Sequence, residues 1–413
     1  MTERVVVTGI GMISPLGLDA HSTWQSLLDG KSGVRRITVF DPTEFSTQIA
    51  SEVKGFDPNN YMDRKEARHT DRFSQLAIAA SQEALNQANL TIDKSNTYDI
   101  VTIIGSELGG IITLSEQVNV LNEKGPSRVN PFLIPMMLTD LAAGQISIKL
   151  GIQGPNFATV SACSSSSDAI GTAYEMIKHG DFHTAIAGGA EAPICPISIA
   201  GFNSCGALSK RNDKPEKASR PFDADRDGFI IGEGSSILIL ENMEHALRRG
   251  AAPMAELIGY GASSDAYHVT QPSPSGDGGA KAMSIALRKA GLGPSDIDYI
   301  NAHGTSTPLN DKVETKAIKK VFGKNAYKIP ISSTKSMTGH LQGASAALEA
   351  AFCILSIQNG AIPPTINLDS PDPECDLNYT PFLPQRGVVK TAMTNSLGFG
   401  GHNSTLIFKR LEN

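Results

Sequence analysis

One signature occurs twice in this chain, and it limits the fold more than any other feature. Ala84-Leu85-x-x-Ala88-x-Leu90 closes a predicted helix, and a strand then runs into Gly105; Ala286-Leu287-x-x-Ala290-x-Leu292 closes another, and a strand runs into His303-Gly304. Each copy is followed by a further strand, a reactive side chain and a helix of small residues. These are Cys163-Ser-Ser-Ser-Ser-Asp-Ala-Ile-Gly in the first copy and His340-Leu-Gln-Gly-Ala-Ser-Ala-Ala in the second. Shared order over three elements favours duplication over coincidence. The path from Leu85 to Cys163 is longer than that from Leu287 to His340, which predicts an insertion in the first half, assigned to Ile111–Pro155. Two related halves, 1–250 and 251–413, meeting face to face would bring both reactive segments to their junction.

The pattern between these landmarks is that of an α/β protein. Val5–Thr8, Ile100–Ile104, Phe157–Ser161, Thr184–Ala187, Ser236–Leu240, Ile297–Asn301, Ile329–Ser332 and Ala392–Ser396 read as strands. Ser74–Asn89, Ser165–His179, Gly279–Ala290 and Leu341–Gln358 read as helices, and the alternation implies crossover units around buried sheets. With 40% apolar and 19% charged residues the composition is globular, and a net charge of −6 supplies no overall basic field for nucleic acid. The five Cys (163, 195, 205, 353 and 375) are odd in number and lack CxxC spacing. That pattern argues against a disulfide framework or zinc site and for a reducing compartment. MTERVVVTGIG reads as a first buried strand rather than a leader, and no apolar run approaches a membrane span, Ala346–Ile357 being broken by Glu349. The expectation is a cytoplasmic protein.

Cys163 sits where a strand turns into a helix. Unsatisfied N–H groups and the helix dipole there favour thiolate, and the same N–H groups can hold an oxyanion when a thioester carbonyl is attacked. Taken alone, such a thiol is as compatible with structural packing as with catalysis. His303 stands at the carboxyl end of a strand, where open α/β sheets place ligands. His340 opens a helix, which disfavours imidazolium and leaves a neutral hydrogen-bond donor. Lys335 provides a fixed positive charge, with Asp311 and Glu314 as candidate partners and Glu349 as a further supporting charge. In Asn395-Ser-Leu-Gly-Phe-Gly-Gly-His-Asn403, three Gly around Phe399 permit close backbone approach, so this loop can offer a second oxyanion N–H with Phe399 as a lid.

Ser161-Ala-Cys163, His303-Gly-Thr-Ser-Thr-Pro308, Lys335-Ser-Met-Thr-Gly-His340 and Asn395–Asn403 together resemble the β-ketoacyl-acyl carrier protein synthases. The resemblance covers the whole chain. The motif Arg220-Pro-Phe-Asp-Ala-Asp-Arg-Asp-Gly-Phe-Ile-Ile-Gly-Glu233 makes it closest to the elongating type II enzymes of bacterial fatty acid synthesis. It implies a thiolase-like duplicated fold of five layers, α-β-α-β-α, as a homodimer. It implies no metal and no resident cofactor, because phosphopantetheine arrives on the acyl carrier protein. Cys163 would take the acyl chain, while His303 and His340 bind the malonyl thioester and stabilise the enolate left by decarboxylation. The N–H groups of Cys163 and Phe399 would hold the oxyanion, and Lys335 would orient the site electrostatically. Thr305 and Thr307 match positions gripping the pantetheine, Leu108 and Phe202 positions lining the acyl pocket. Ser161, Leu397 and Gln342 depart from the residues frequent in the family, which touches chain-length preference and lid packing but removes no reacting group.

Arg64, Lys65, Arg68 and Arg72 fall at spacings that share a helical face, and Arg128, Lys210, Arg211 and Lys214 form further basic clusters. The resemblance makes Lys65 and Arg68 the expected contacts for an acidic carrier protein. Among other readings, a CoA-dependent thiolase would want a second Cys in the C-terminal Gly-rich loop, and none is there. A starter-type synthase pairs one His with an Asn, a hydrolase needs water at the acyl enzyme, and a non-catalytic partner subunit lacks the nucleophile. A polyketide ketosynthase uses the same residues.

Overall fold

The computed structural model describes residues 3–412. Ten strands build the frame: β1 (Val5–Ile13), β2 (Ile100–Gly105), β3 (Asn156–Thr159), β4 (Thr184–Glu191), β5 (Gly234–Asn242), β6 (Ala255–Ser264), β7 (Tyr299–Asn301), β8 (Ile331–Ser332), β9 (Thr391–Gly398) and β10 (His402–Lys409). Their spatial order is β8-β7-β9-β10-β6-β1-β5-β4-β2-β3. The first five therefore run 3-2-4-5-1 and the last five repeat that order outward from the other side. Strand directions repeat as well: β2 is parallel to β3 and β4, and β7 to β8 and β9. β4–β5 and β9–β10 are antiparallel. The halves join through a short antiparallel contact in which Val5–Val7 pair with Ala255–Leu257.

The main helices are α1 (Arg72–Ala88), α2 (Ile111–Lys124), α3 (Leu141–Leu150), α4 (Ser165–His179), α5 (Asp277–Ala290), α6 (Pro308–Phe322) and α7 (Ser345–Asn359). α4 and α7 pack on each other between the two sheets, while α1 with α3, and α5 with α6, cover the outer faces. This is the expected five-layer arrangement, and the buried apolar side chains divide accordingly. Ile170, Ile177, Leu348 and Phe352 fill the middle; Phe73, Leu76, Ile104 and Ile239 fill one outer space; Met283, Ile300, Ile318 and Phe322 fill the other.

The repeated signature has a steric cause. A Cβ on Gly9 of β1 would lie 2.1 Å from the Ala84 carbonyl oxygen of α1, and a Cβ on Gly259 of β6 would lie 2.6 Å from that of Ala286 in α5. Strand Gly and helix Ala thus let each outer helix approach its sheet closely. The same glycines break the strand pattern of β6, and neither β6 nor β10 is among the predicted strands. The predicted insertion is too long: α3 is the crossover that parallel β2 and β3 require, as α6 is for β7 and β8, so the extra material ends before Leu141. The helix expected from Leu341 starts at Ser345 after a single 3-10 turn, because the backbone at His340 is bridged to Ile231.

Candidate active site

Cys163 stands on a strained elbow. Between β3 and α4, Ala162 takes φ +51°, a left-handed conformation that costs roughly 1–2 kcal/mol for a residue with a Cβ. Its neighbours hold it there. The Ser165 hydroxyl donates to the Ala162 carbonyl at 2.6 Å and accepts the Ser161 N–H at 2.9 Å. The Ser161 hydroxyl donates to Asp168 at 2.5 Å, and Tyr260 of β6 donates to the other oxygen of that carboxylate at 3.0 Å. Cys163 is left buried, and the nearby backbone N–H groups of Cys163 and Phe399 pull its thiol pKa down. Gly398 allows this: a Cβ there would lie 3.1 Å from the Cys163 nitrogen.

Both histidines reach the same place from the second half. His340 Nε2 is 3.1 Å from Cys163 Sγ, and His340 Nδ1 is 2.8 Å from the Ser345 hydroxyl. The His340 N–H donates to the Ile230 carbonyl at 2.7 Å, and the His340 carbonyl accepts the Gly232 N–H at 2.8 Å. His303 lies edge-on to His340 with ring centres 5.4 Å apart. Glu314 accepts the N–H groups of His303 and Gly304 at 2.8 Å each, which fixes the turn after β7. Burial and the Lys335 cation push both imidazoles well below the usual histidine range, the direction expected for His340.

Lys335 is fully buried and pairs with Glu349, not with Asp311 or Glu314. Asp311 instead accepts the Phe222 N–H at 2.8 Å and sits 3.5 Å from Arg226, while Glu314 is occupied by the His303 turn. Burial raises the Glu349 and Glu314 carboxyls to about 7. The thiol is a second correction. Burial and the nearby Glu107 carboxylate push Cys163 well above the usual thiol range; Lys335 and the two N–H groups pull the other way and are outweighed. The helix end therefore does not give a resting thiolate.

A cavity of about 300 Å³ is lined by Cys163, His303, His340, Phe399, Thr305 and Thr307, the two threonine hydroxyls lying 3.0 Å apart. Leu108 and Phe202 do not line it. Leu108 donates its N–H to Glu191 at 3.1 Å, and Phe202 packs edge-on to Phe229, which in turn packs edge-on to His340. Lys65 and Arg68 are exposed on a short helix, Arg64–Arg68. Arg72 does not share that face; it begins α1 and forms a two-bond pair with Glu233 at 2.7 and 2.8 Å.

Three groups escaped the sequence reading. Glu191 accepts hydrogen bonds from the Ser106 hydroxyl and the N–H groups of Glu107, Leu108 and Gly343, tying the loop after β2 to the turn after His340. Burial and Glu191 raise the Glu107 carboxyl to about 8, and one of its oxygens has no partner. Arg226 donates to the carbonyls of Thr307 (3.0 Å) and Pro308 (2.9 Å) and to Asp372 (2.9 Å). Glu191 ends β4 and Glu107 lies two residues past the end of β2, a usable signal; Arg226 carries none beyond its place in the Arg220–Glu233 motif.

Residues 2–246 match the family described as beta-ketoacyl synthase, N-terminal domain, and residues 254–369 match beta-ketoacyl synthase, C-terminal domain. A 3-oxoacyl-[acyl-carrier-protein] synthase 2 of Synechocystis sp. is 50% identical over 410 residues, 99% of each chain. A β-ketoacyl synthase structure from Burkholderia phymatum STM815 has a TM-score of 0.93 at 37% identity, covering 99% of this chain and 100% of that one. A type II PKS acyl-carrier protein in complex with its ketosynthase has a TM-score of 0.90 at 34% identity over 100% of both chains.

Proposed function

The chain belongs to the β-ketoacyl synthase family, and from that premise we propose how its residues divide the work. The reaction is the decarboxylative Claisen condensation of malonyl-acyl carrier protein with an enzyme-bound acyl chain in fatty acid elongation, giving 3-oxoacyl-acyl carrier protein and CO₂. The observation that carries the residue roles is the single cavity lined by the Cys163 thiol, the His303 and His340 imidazoles and Phe399.

Cys163 attacks the acyl thioester. Its proton leaves on the pantetheine thiol, so this transfer consumes no net proton and can start from a neutral Cys163. The carbonyl oxygen becomes an oxyanion held by the N–H groups of Cys163 and Phe399. Malonyl thioester then enters against His303 and His340, with Thr305 and Thr307 along the pantetheine. Two uncharged donors at the thioester oxygen stabilise the enolate that forms as the C–C bond to the carboxylate breaks. The carbanion attacks acyl-Cys163, the C–S bond breaks, and the released thiolate takes up one proton. Burial and the Lys335 cation, which is held in place by Glu349, keep both imidazoles unprotonated. Asp311 and Glu314 hold backbone rather than react.

The reaction so drawn needs no resident metal or cofactor, since phosphopantetheine comes with the carrier. We assign Lys65 and Arg68 to the carrier contact, Leu108 and Phe202 to the acyl side of Cys163, and 1–250 and 251–413 to the two thiolase-like units. Val118, Leu121, Phe132, Ile134 and Leu138 are apolar and exposed on and after α2, a surface suited to a second copy in a homodimer. No helix among the described residues is long and apolar enough to cross a membrane, and Cys163, Cys195, Cys205, Cys353 and Cys375 are all free thiols, which fits a cytoplasmic enzyme. Intact mass spectrometry after incubation with acyl-carrier thioesters of graded length tests the acyl-enzyme: an adduct on wild type, absent in Cys163→Ala, is expected. Wild type left unmodified at every length contradicts it.

A further inference from the structure

The three groups that carry the chemistry are also a set of metal donors. One ligand atom each from Cys163, His303 and His340 can be chosen so that all lie within 4.8 Å of one another, all three residues being buried. A tetrahedral ion about 2.3 Å from sulfur and about 2.0 Å from each nitrogen holds its donors roughly 3.3–3.6 Å apart. The His340 Nε2 to Cys163 Sγ distance of 3.1 Å is already close to that span. Two further features suit a metal. The Ser345 hydroxyl engages His340 Nδ1 and leaves Nε2 facing the thiol, the outer-shell orientation that metal-bound imidazoles use. The buried Nδ1 of His303 has no hydrogen-bond partner, so its ring is not committed to another group on that side.

We infer that Cys163, His303 and His340 form an inhibitory site for a thiophilic divalent cation of the Zn²⁺ class, which enters by the substrate channel and blocks acylation. Three protein ligands leave the fourth position to water, and the cavity lined by these residues gives both the entry path and the room for it. Binding replaces the thiol proton, which is released to solvent, and forms a sulfur–metal bond; the two histidines contribute lone pairs and lose nothing, since they are already unprotonated. The Lys335 cation opposes a second positive charge, but Glu349 pairs with it, and the Glu107 carboxyl faces the same thiol. The arrangement is a trap for condensation: an ion held by both histidines and the sulfur removes the nucleophile and both enolate donors together.

Cobalt(II) reports such a site directly through sulfur-to-metal absorption in the near ultraviolet and needs neither carrier protein nor thioester, so its outcome is independent of the condensation chemistry. Titration of the purified, thiol-free chain should give one Co²⁺ per chain with that absorption. The band should vanish in Cys163→Ala and in wild type first alkylated with iodoacetamide, a control that changes no residue needed for folding. Affinity should fall at least about tenfold in His303→Ala and in His340→Ala. Zn²⁺ should protect Cys163 from iodoacetamide, and a chelator should restore its reactivity. A wild type without the band, a band that survives loss of Cys163, or unchanged affinity in both histidine variants would overturn the assignment.

Discussion

The two halves share a strand order but differ, apart from the insertion after β2, in the link between their fourth and fifth strands. In the second half β9 passes to β10 through a turn of three residues, Phe399–Gly401, while in the first the chain leaves β4 at Glu191 and returns to β5 only at Gly234. The short link brings Phe399 to the cavity that holds the first half's thiol, where its N–H pulls the thiol pKa down. The long link does the converse: Ile230 and Gly232 grip the backbone of His340, the Ser306 hydroxyl accepts the Arg220 N–H at 2.9 Å, and Arg226 grips Thr307 and Pro308. Each half therefore positions the other's reacting groups. The comparison teaches that the repeated sheet supplies a scaffold, and that the non-repeated connections turn it into one site.

Breaking the long link should have the largest effect. Arg226→Met leaves Asp311, Asp372 and three carbonyls without their buried cation, a change expected to cost about 3–5 kcal/mol. Urea unfolding measures it. A variant as stable as wild type would mean that the link is not a brace.

Glu107 sharpens the contrast from the first half's side. Its carboxyl titrates near 8 and, once ionised, pushes the thiol up. Because its folded pKa exceeds the unfolded value, Glu107 favours folding least at high pH, and stability drains as pH rises from about 5 to 8. In Glu107→Gln the thiol should ionise at lower pH, shifting the iodoacetamide rate profile downward, and that loss of stability should lessen. An unshifted profile would separate Glu107 from the thiol.

The smallest effect is expected at the surface. Lys65→Glu with Arg68→Glu should raise KM for carrier-bound substrate by roughly tenfold while leaving stability and acylation by a small thioester unchanged. Equal damage to both activities would remove these residues from the carrier contact.

Much of this was legible in the sequence because repetition reports sterics. Ala84 and Ala286 recur since each faces a strand glycine, and the reacting residues recur at sheet ends because that is where the two halves meet. The partner of Lys335 was not legible in the same way. Asp311 and Glu314 lie on the second half's own crossover but are drawn off by Phe222 and the His303 turn, and Glu349, near the start of α7, faces back toward the lysine. Nor did the elbow reveal its thiol's ionisation, since burial and Glu107 outweigh the helix end.

The central claim is that the first half holds the acyl chain and the second half makes the carbanion. Measuring both half-reactions on His303→Ala and His340→Ala tests it most directly: an acyl adduct on Cys163 by intact mass, and CO₂ release from malonyl carrier protein. The account predicts that adduct formation persists in each variant while CO₂ release falls by about 100-fold or more. Decarboxylation at the wild-type rate in both variants would contradict it.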